Sequence, residues 1–181
     1  MPAATISPDE FEKAFADHGR TLWLLGAAWV GREHAQDLVQ ETARVAWQRR
    51  AGFVPGTSLR LWLAQIARNI GANWRRRRHE APWTDDVAEP VARPFAAAPW
   101  PFRAADHLSD DLSRALAGLP EAARACLLLH VIAEHTFAEI GAMLDLPPNT
   151  VASHVRRARL ALRAALDSNA PPVPEPLPES P

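Results

Sequence analysis

Apolar residues in this chain recur every three or four positions, the spacing of one helix face, and no β-rich run interrupts them. Ser7-Pro8-Asp9-Glu10 opens a first helix: Ser7 suits the N-cap, Pro8 the first helical position, and Glu10 closes a capping box. Phe11, Phe15, Leu22, Leu25 and Trp29 then mark an inner face that ends near Gly31. A second helix is predicted from Arg32 to about Arg50, with Leu38, Thr42, Val45 and Ala46 inward and Trp47 beside them. Gly52-Phe53-Val54-Pro55-Gly56 breaks it, since neither proline nor glycine sustains a helix there. Thr57 or Ser58 caps a third helix, whose stripe Leu59, Trp62, Leu63, Ile66 and Ile70 falls at i, i+3, i+4, i+7 and i+11. On a helical projection Arg60, Arg68, Arg75 and Arg78 lie opposite that stripe.

From 81 to 108 the periodicity collapses into five prolines (82, 90, 94, 99, 101), alanine runs and scattered charge, the composition of a linker. Trp83, Phe95, Trp100 and Phe102 are more aromatics than a solvated tether needs. Helical spacing resumes at Ser109-Asp110-Asp111, a cap with an acidic first turn, followed by Leu112, Leu116 and Leu119. Pro120 is expected to begin the next helix, which carries Ala123, Leu127, Leu128, Val131 and Ile132. Thr136-Phe137-Ala138-Glu139 is a second capping box; a short helix to Leu144, the turn Asp145-Leu146-Pro147 and a long helix from Pro148 to about Leu166 follow. The last stretch, 168–181, holds six prolines and reads as an extended tail. The predicted fold is therefore all-α: a three-helix bundle (7–80) and a four-helix domain with a helix-turn-helix (109–167), joined by the proline-rich linker.

Within that frame, a single cysteine, Cys126, excludes an internal disulfide framework and suits a reducing cytoplasm. The opening MPAATISPDEFEKAF has no charged stretch followed by an apolar one, so no secretion signal is expected, and no apolar run suffices for membrane insertion. A formal net charge of −1 conceals segregation. Arginines 44, 49, 50, 60, 68, 75, 76, 77 and 78 face only Glu41 and Glu80 between Gln40 and Glu80, and Arg156, Arg157, Arg159 and Arg163 meet no acid between Pro147 and Leu166. A polyanion docks where charge is concentrated, whatever the total. No HExxH, CxxC or glycine-rich phosphate loop is present, and His130, His135 and His154 lack metal-ligand spacing. Neither catalytic residue, metal nor cofactor is expected; the chain reads as a binding protein and not an enzyme.

The two basic segments fit nucleic acid in different ways. In the long C-terminal helix Val151, Val155, Ala158 and Leu162 form the inward stripe, against Phe137, Ile140, Gly141 and Leu144 of the short helix. Asn149, Ser153, Arg156 and Arg157 lie opposite, with Thr150, Ala152 and His154 on the flanks, the layout of a helix that enters a major groove. Arg75 to Arg78 suit phosphate contacts. A soluble helix face mixes signs, whereas the arginine stripe of the third helix has almost no acids. Trp62 belongs to the apolar stripe, and Asn69 sits at its edge, placed for a core gap or for an extruded base.

Asp37-Leu38-Val39-Gln40-Glu41-Thr42, Ala46-Trp47, Phe53 to Thr57, Trp62-Leu63 and Ile66-Ala67-Arg68-Asn69 together resemble region two of the extracytoplasmic-function sigma factors of bacterial RNA polymerase. Leu119-Pro120, Thr136 to Gly141, Asn149-Thr150-Val151 and Arg157-Ala158-Arg159 resemble region four of the same family, and the two sets occur in the family's order. The resemblance implies a promoter-specificity subunit whose partners are the polymerase core, promoter DNA and an anti-sigma factor. It implies core contacts by Asp37, Leu38, Gln40 and Glu41, although periodicity turns Leu38 inward. It places Arg60, Arg68, Asn69, Arg75 and Arg76 at the minus-ten element, with Asn69 holding a flipped base. Asn149, Thr150, Ser153, His154, Arg156 and Arg157 would read the minus-thirty-five element.

Two features depart from the family pattern. After Thr150-Val151 the family commonly has a basic residue and then Ser-Arg, whereas this chain has Ala152-Ser153-His154, so its recognition helix begins with less positive charge. Its linker is also richer in proline and tryptophan than is usual. A stand-alone helix-turn-helix regulator and a sigma-like decoy that binds an anti-sigma factor without touching DNA are the alternatives. Transcription with polymerase core separates the first expectation from both.

Overall fold

The computed structural model describes residues 6–80 and 110–167, and for 77–80 and 110 the backbone alone. Its helices are α1 (Pro8–Val30), α2 (Arg32–Arg49), α3 (Leu59–Glu80), α4 (Asp110–Ala117), α5 (Glu121–Val131), α6 (Phe137–Leu144) and α7 (Pro148–Asp167). No strand occurs among the described residues. The linker and its Trp83, Phe95, Trp100 and Phe102, the Ser109 cap and the tail all lie outside them.

Local chemistry sets most helix boundaries. Ser7 Oγ accepts from the Glu10 amide at 3.2 Å while the Glu10 carboxylate accepts from the Ser7 amide at 2.9 Å, the capping box expected. Gly31 separates α1 from α2 at φ +90°, a conformation that side chains resist, so the two helices turn on one residue. A single 3-10 turn, Arg50–Gly52, closes α2. Ser58, rather than Thr57, caps α3: its Oγ accepts from the Leu61 amide at 3.4 Å, while Thr57 Oγ1 donates to the Val54 carbonyl. Pro120 falls at the N-cap of α5 and not inside it, its extended ψ of 139° lying outside the helical range.

In the first bundle α1 packs on both α2 and α3. Phe11, Leu22, Leu24, Leu25, Leu38 and Leu63 are essentially inaccessible there, each contributing about 1.5–3 kcal/mol of burial. Trp62 is half-buried and meets Phe53 edge-on with ring centroids 5.4 Å apart, which makes it a packing residue. In the second half α7 lies across α4, α5 and α6, burying Leu116, Leu119, Leu129, Ile140, Met143, Val151, Val155 and Ala158. Cys126 is fully buried, and that burial raises its thiol pKa to about 11, so it serves as a core residue. The halves also touch each other: α1 packs on α5 and α3 on α6.

Candidate nucleic-acid interface

The helix-turn-helix is assembled from short-range interactions. Thr136 Oγ1 accepts from the Glu139 amide at 3.3 Å and the Glu139 carboxylate returns to the Thr136 amide at 2.9 Å, so α6 starts at a fixed residue. Asp145 ends it in the left-handed conformation, φ 59° and ψ 50°, and the Leu146 amide donates to the Gly141 carbonyl at 2.9 Å. A Cβ on residue 141 would sit 2.5 Å from the Leu146 carbonyl oxygen, so glycine lets the turn fold tightly against α6. Close approach of the turn therefore explains this glycine.

Val151, Val155 and Ala158 lock α7 into the core, and Leu162 packs partly buried against it. The opposite face carries Asn149, Ser153, Arg156 and Arg157, all exposed, with Thr150 and His154 half-buried at its margins. Arg157 Nε donates to the Ser153 carbonyl at 3.4 Å, a long bond that a phosphate or base would readily replace. Burial, and then the Arg157 charge, lowers the His154 pKa below the usual histidine value. His154 is thus neutral near pH 7, and the first two turns of α7 present neutral donors and acceptors plus the positive end of the helix dipole. Formal charge begins only at Arg156.

The first bundle offers two further surfaces. On α2, Asp37 and Gln40 are exposed, and Glu41 is half-buried in a bidentate pair with Arg44, one contact at 2.8 Å. Leu38 corrects the expectation of a partner contact: it is 0% exposed, because its position on the inward stripe turns it into the bundle, with its Cδ1 close to Gly71 of α3. On α3, Asn69 is exposed and accepts from Gln65 Nε2 at 3.3 Å. Arg76 is exposed beside Asn73.

Arg60, Arg68 and Arg75 face the second half of the chain. Arg60 Nη1 donates to Glu139 Oε1 at 2.9 Å. Arg68 Nη1 donates to the Leu144 carbonyl at 3.1 Å and lies 3.9 Å from Asp145, and Arg75 pairs with Glu121. Nearby, Thr21 Oγ1 and His135 Nε2 share a hydrogen bond of 2.9 Å, and Arg32 Nη1 donates to Ser113 Oγ at 2.9 Å. The bonds of Thr136 and then that of Arg60 hold the Glu139 carboxyl down at about 2. The pattern of the sequence marks Glu139 as a cap but not as the partner of Arg60, and it does not mark Glu121, Asp145 or His135 as partners, because contacts 76 and 79 positions apart leave no periodic signal.

Two family profiles match the chain: Sigma-70 region 2 over residues 14–80 and Sigma-70 region 4 over residues 109–162. It is 32% identical to the ECF RNA polymerase sigma factor EcfG of Rhodopseudomonas palustris over 136 residues, covering 74% of this chain and 72% of EcfG. The chain belongs to the ECF RNA polymerase sigma factors. It is also 31% identical over 136 residues to the probable RNA polymerase sigma factor RfaY of Xanthomonas campestris, covering 73% of this chain but spanning only about a third, 34%, of RfaY. Among solved structures, the sigma factor RpoE in complex with the anti-sigma factor NepR from Bartonella quintana shares the fold, with a TM-score of 0.63 and 22% identity over 90% of this chain and 99% of that one. In this ECF sigma factor, then, α1–α3 form the region-2 part and α4–α7 the region-4 part. No helix among the described residues is long and apolar enough to cross a membrane.

Proposed function

We propose that this protein directs bacterial RNA polymerase core to promoters and supports their opening, as a cytoplasmic initiation factor with no catalysis of its own. One observation carries this: a single chain joins a region-2 bundle with exposed polar groups on α2 and arginines on α3 to a helix-turn-helix whose second helix exposes Asn149, Ser153, Arg156 and Arg157. Duplex DNA admits a helix in its major groove, whereas a melted strand requires a basic track and a place for an extruded base. α7 supplies the first, through Asn149, Thr150, Ser153, His154, Arg156 and Arg157 at the upstream element. α3 supplies the second, through Arg60, Arg68, Arg75 and Arg76 along the strand and Asn69 at the base. Asp37, Gln40 and Glu41 on α2 meet the polymerase core. The RpoE–NepR complex supports an anti-sigma factor as a further partner.

Promoter-dependent run-off transcription with purified core tests the assignment. Specific transcripts that require this chain are expected. Duplex binding with no dependence on core would establish a stand-alone regulator instead, and neither activity would establish a decoy.

A further inference from the structure

We propose that the cleft between α1 and the α4–α5 pair binds a small amphipathic carboxylate, its apolar body against Trp23, Leu24, Leu116 and Leu128 and its head on the Arg124 guanidinium. None of the residues assigned above to polymerase or promoter lines this cleft, so the site stands or falls independently of them.

The cleft holds about 390 Å³. That lies within the range of about 300–1,000 Å³ usual for small-ligand sites, which pair apolar walls with a few polar groups. Trp23, Leu24, Leu116 and Leu128 are themselves buried and supply the apolar walls, from α1, α4 and α5 in turn. A hydrocarbon body placed there leaves water without stranding a polar atom. Among the described residues no cluster suits a metal ion, so an organic occupant fits best.

Charge fixes the other end of that occupant. Arg124 lines the same cleft, half-buried. Its Nη2 donates to the Leu119 carbonyl at 3.5 Å, the outer limit of a hydrogen bond, and its inaccessible Nε has no partner among the described residues. A guanidinium stays protonated in proteins, so burying it with so few bonds is costly. Burial lowers its pKa; Glu121 partly opposes this, but that carboxylate is itself paired with Arg75. Of the other charged groups on the cleft, Arg32 Nη1 donates to Ser113 Oγ at 2.9 Å, and exposed Glu33 folds its carboxylate beside Gly31. Two cations against one acid leave an excess of a single positive charge, which matches a monoanion. A carboxylate also offers the two coplanar acceptors that a guanidinium takes as a fork.

Isothermal titration calorimetry of the full chain tests the site with octanoate. The comparisons are acetate, which has the head without the body, 1-octanol, which has the body without the charge, and hexanoate, which is shorter. Octanoate should saturate one site, with acetate and 1-octanol at least about tenfold weaker. Hexanoate, having lost two methylenes, should also be weaker by about tenfold. R124Q should bring octanoate down about tenfold, to the level of the alcohol, and leave 1-octanol binding unchanged. A117W places a large ring at an exposed position on the rim while retaining Arg124, and should weaken octanoate and 1-octanol alike. Saturating octanoate should raise the melting temperature of the wild-type chain and not that of A117W, since an occupant that binds only the folded chain stabilises it. Absence of saturable binding by octanoate would overturn the site, as would equal octanoate affinity in wild type and R124Q. Binding that survives A117W undiminished, or that is no weaker for hexanoate, would overturn it too, by placing the ligand elsewhere on the surface.

Discussion

Gly141→Ala separates backbone propensity from packing, because the two effects oppose each other at this residue. Gly141 lies within α6, where alanine is favoured over glycine by about 1 kcal/mol on helix propensity alone. Its added Cβ would stand 2.5 Å from the Leu146 carbonyl oxygen, closer than such contacts occur. That atom is backbone in a turn already committed to the Asp145 left-handed conformation and to the bond from the Leu146 amide to the Gly141 carbonyl. The neighbour cannot swing aside as a side chain would. Relief requires moving the turn, and overpacking of this kind costs about 1–3 kcal/mol or somewhat more. The net expectation is destabilisation by up to about 2 kcal/mol, a melting temperature lower by up to roughly 8 °C for a chain of this size. Because the shift is transmitted through Leu146 and Pro148 to the start of α7, binding of promoter duplex by holoenzyme should fall further than the loss of folded protein explains. Gly118→Ala is the control: its Cβ would meet only the Ala115 and Arg114 carbonyl oxygens, at 3.5 and 3.9 Å, so stability should stay level or rise by a few tenths of a kcal/mol. Urea and thermal unfolding read both variants. A Gly141→Ala protein at least as stable as wild type would refute the close-turn account.

Asp37→Ala with Gln40→Ala should weaken association with polymerase core by roughly 1–4 kcal/mol while leaving helicity intact, whereas Leu38→Ala should cost about 2–5 kcal/mol of stability; unchanged core affinity in the double variant counts against the α2 surface. Replacing Arg156 and Arg157 with alanine should lower transcription from promoters that depend on the upstream element, with Arg157 lost as a general, salt-sensitive contact and Arg156 as preference at one base position, worth about 1–3 kcal/mol. Normal transcription across a randomised upstream library would remove α7 from DNA reading. Stability should also fall on mild acidification. Burial, and then Arg60, lower the pKa values of His18 and His135; Asp17 partly offsets this at His18 and Glu139 at His135, where His18 lowers it further. A folded-state pKa below the unfolded value means that their contribution is full above about pH 6.5 and is lost as pH falls through the depressed values. Glu139, held at about 2, keeps its charge throughout that window. The urea midpoint should therefore drop between pH 7 and 5.5, and H18Q/H135Q should flatten the slope; parallel profiles for variant and wild type would contradict the account.

What the sequence determined by itself was whatever depends on residues within a few positions of one another. The boxes at Ser7–Glu10 and Thr136–Glu139 start α1 and α6 because donor and acceptor are three residues apart, and the stripes on α3 and α7 bury Leu63, Ile66, Val151 and Val155 because helical period alone aligns them. The paired regions of this family were legible for the same reason, since each motif is a local run. Tertiary structure decided which outward faces are free. Arg60, Arg68 and Arg75 read as a solvated basic track, yet each meets an acid or carbonyl from the other half of the chain. Leu38 stands between the outward-facing polar residues Asp37, Gln40 and Glu41 but is closed into the bundle. Periodicity tells which side of a helix is polar; which body lies against that side depends on how two halves dock, and docking is set by shape and charge summed over surfaces that no local window contains.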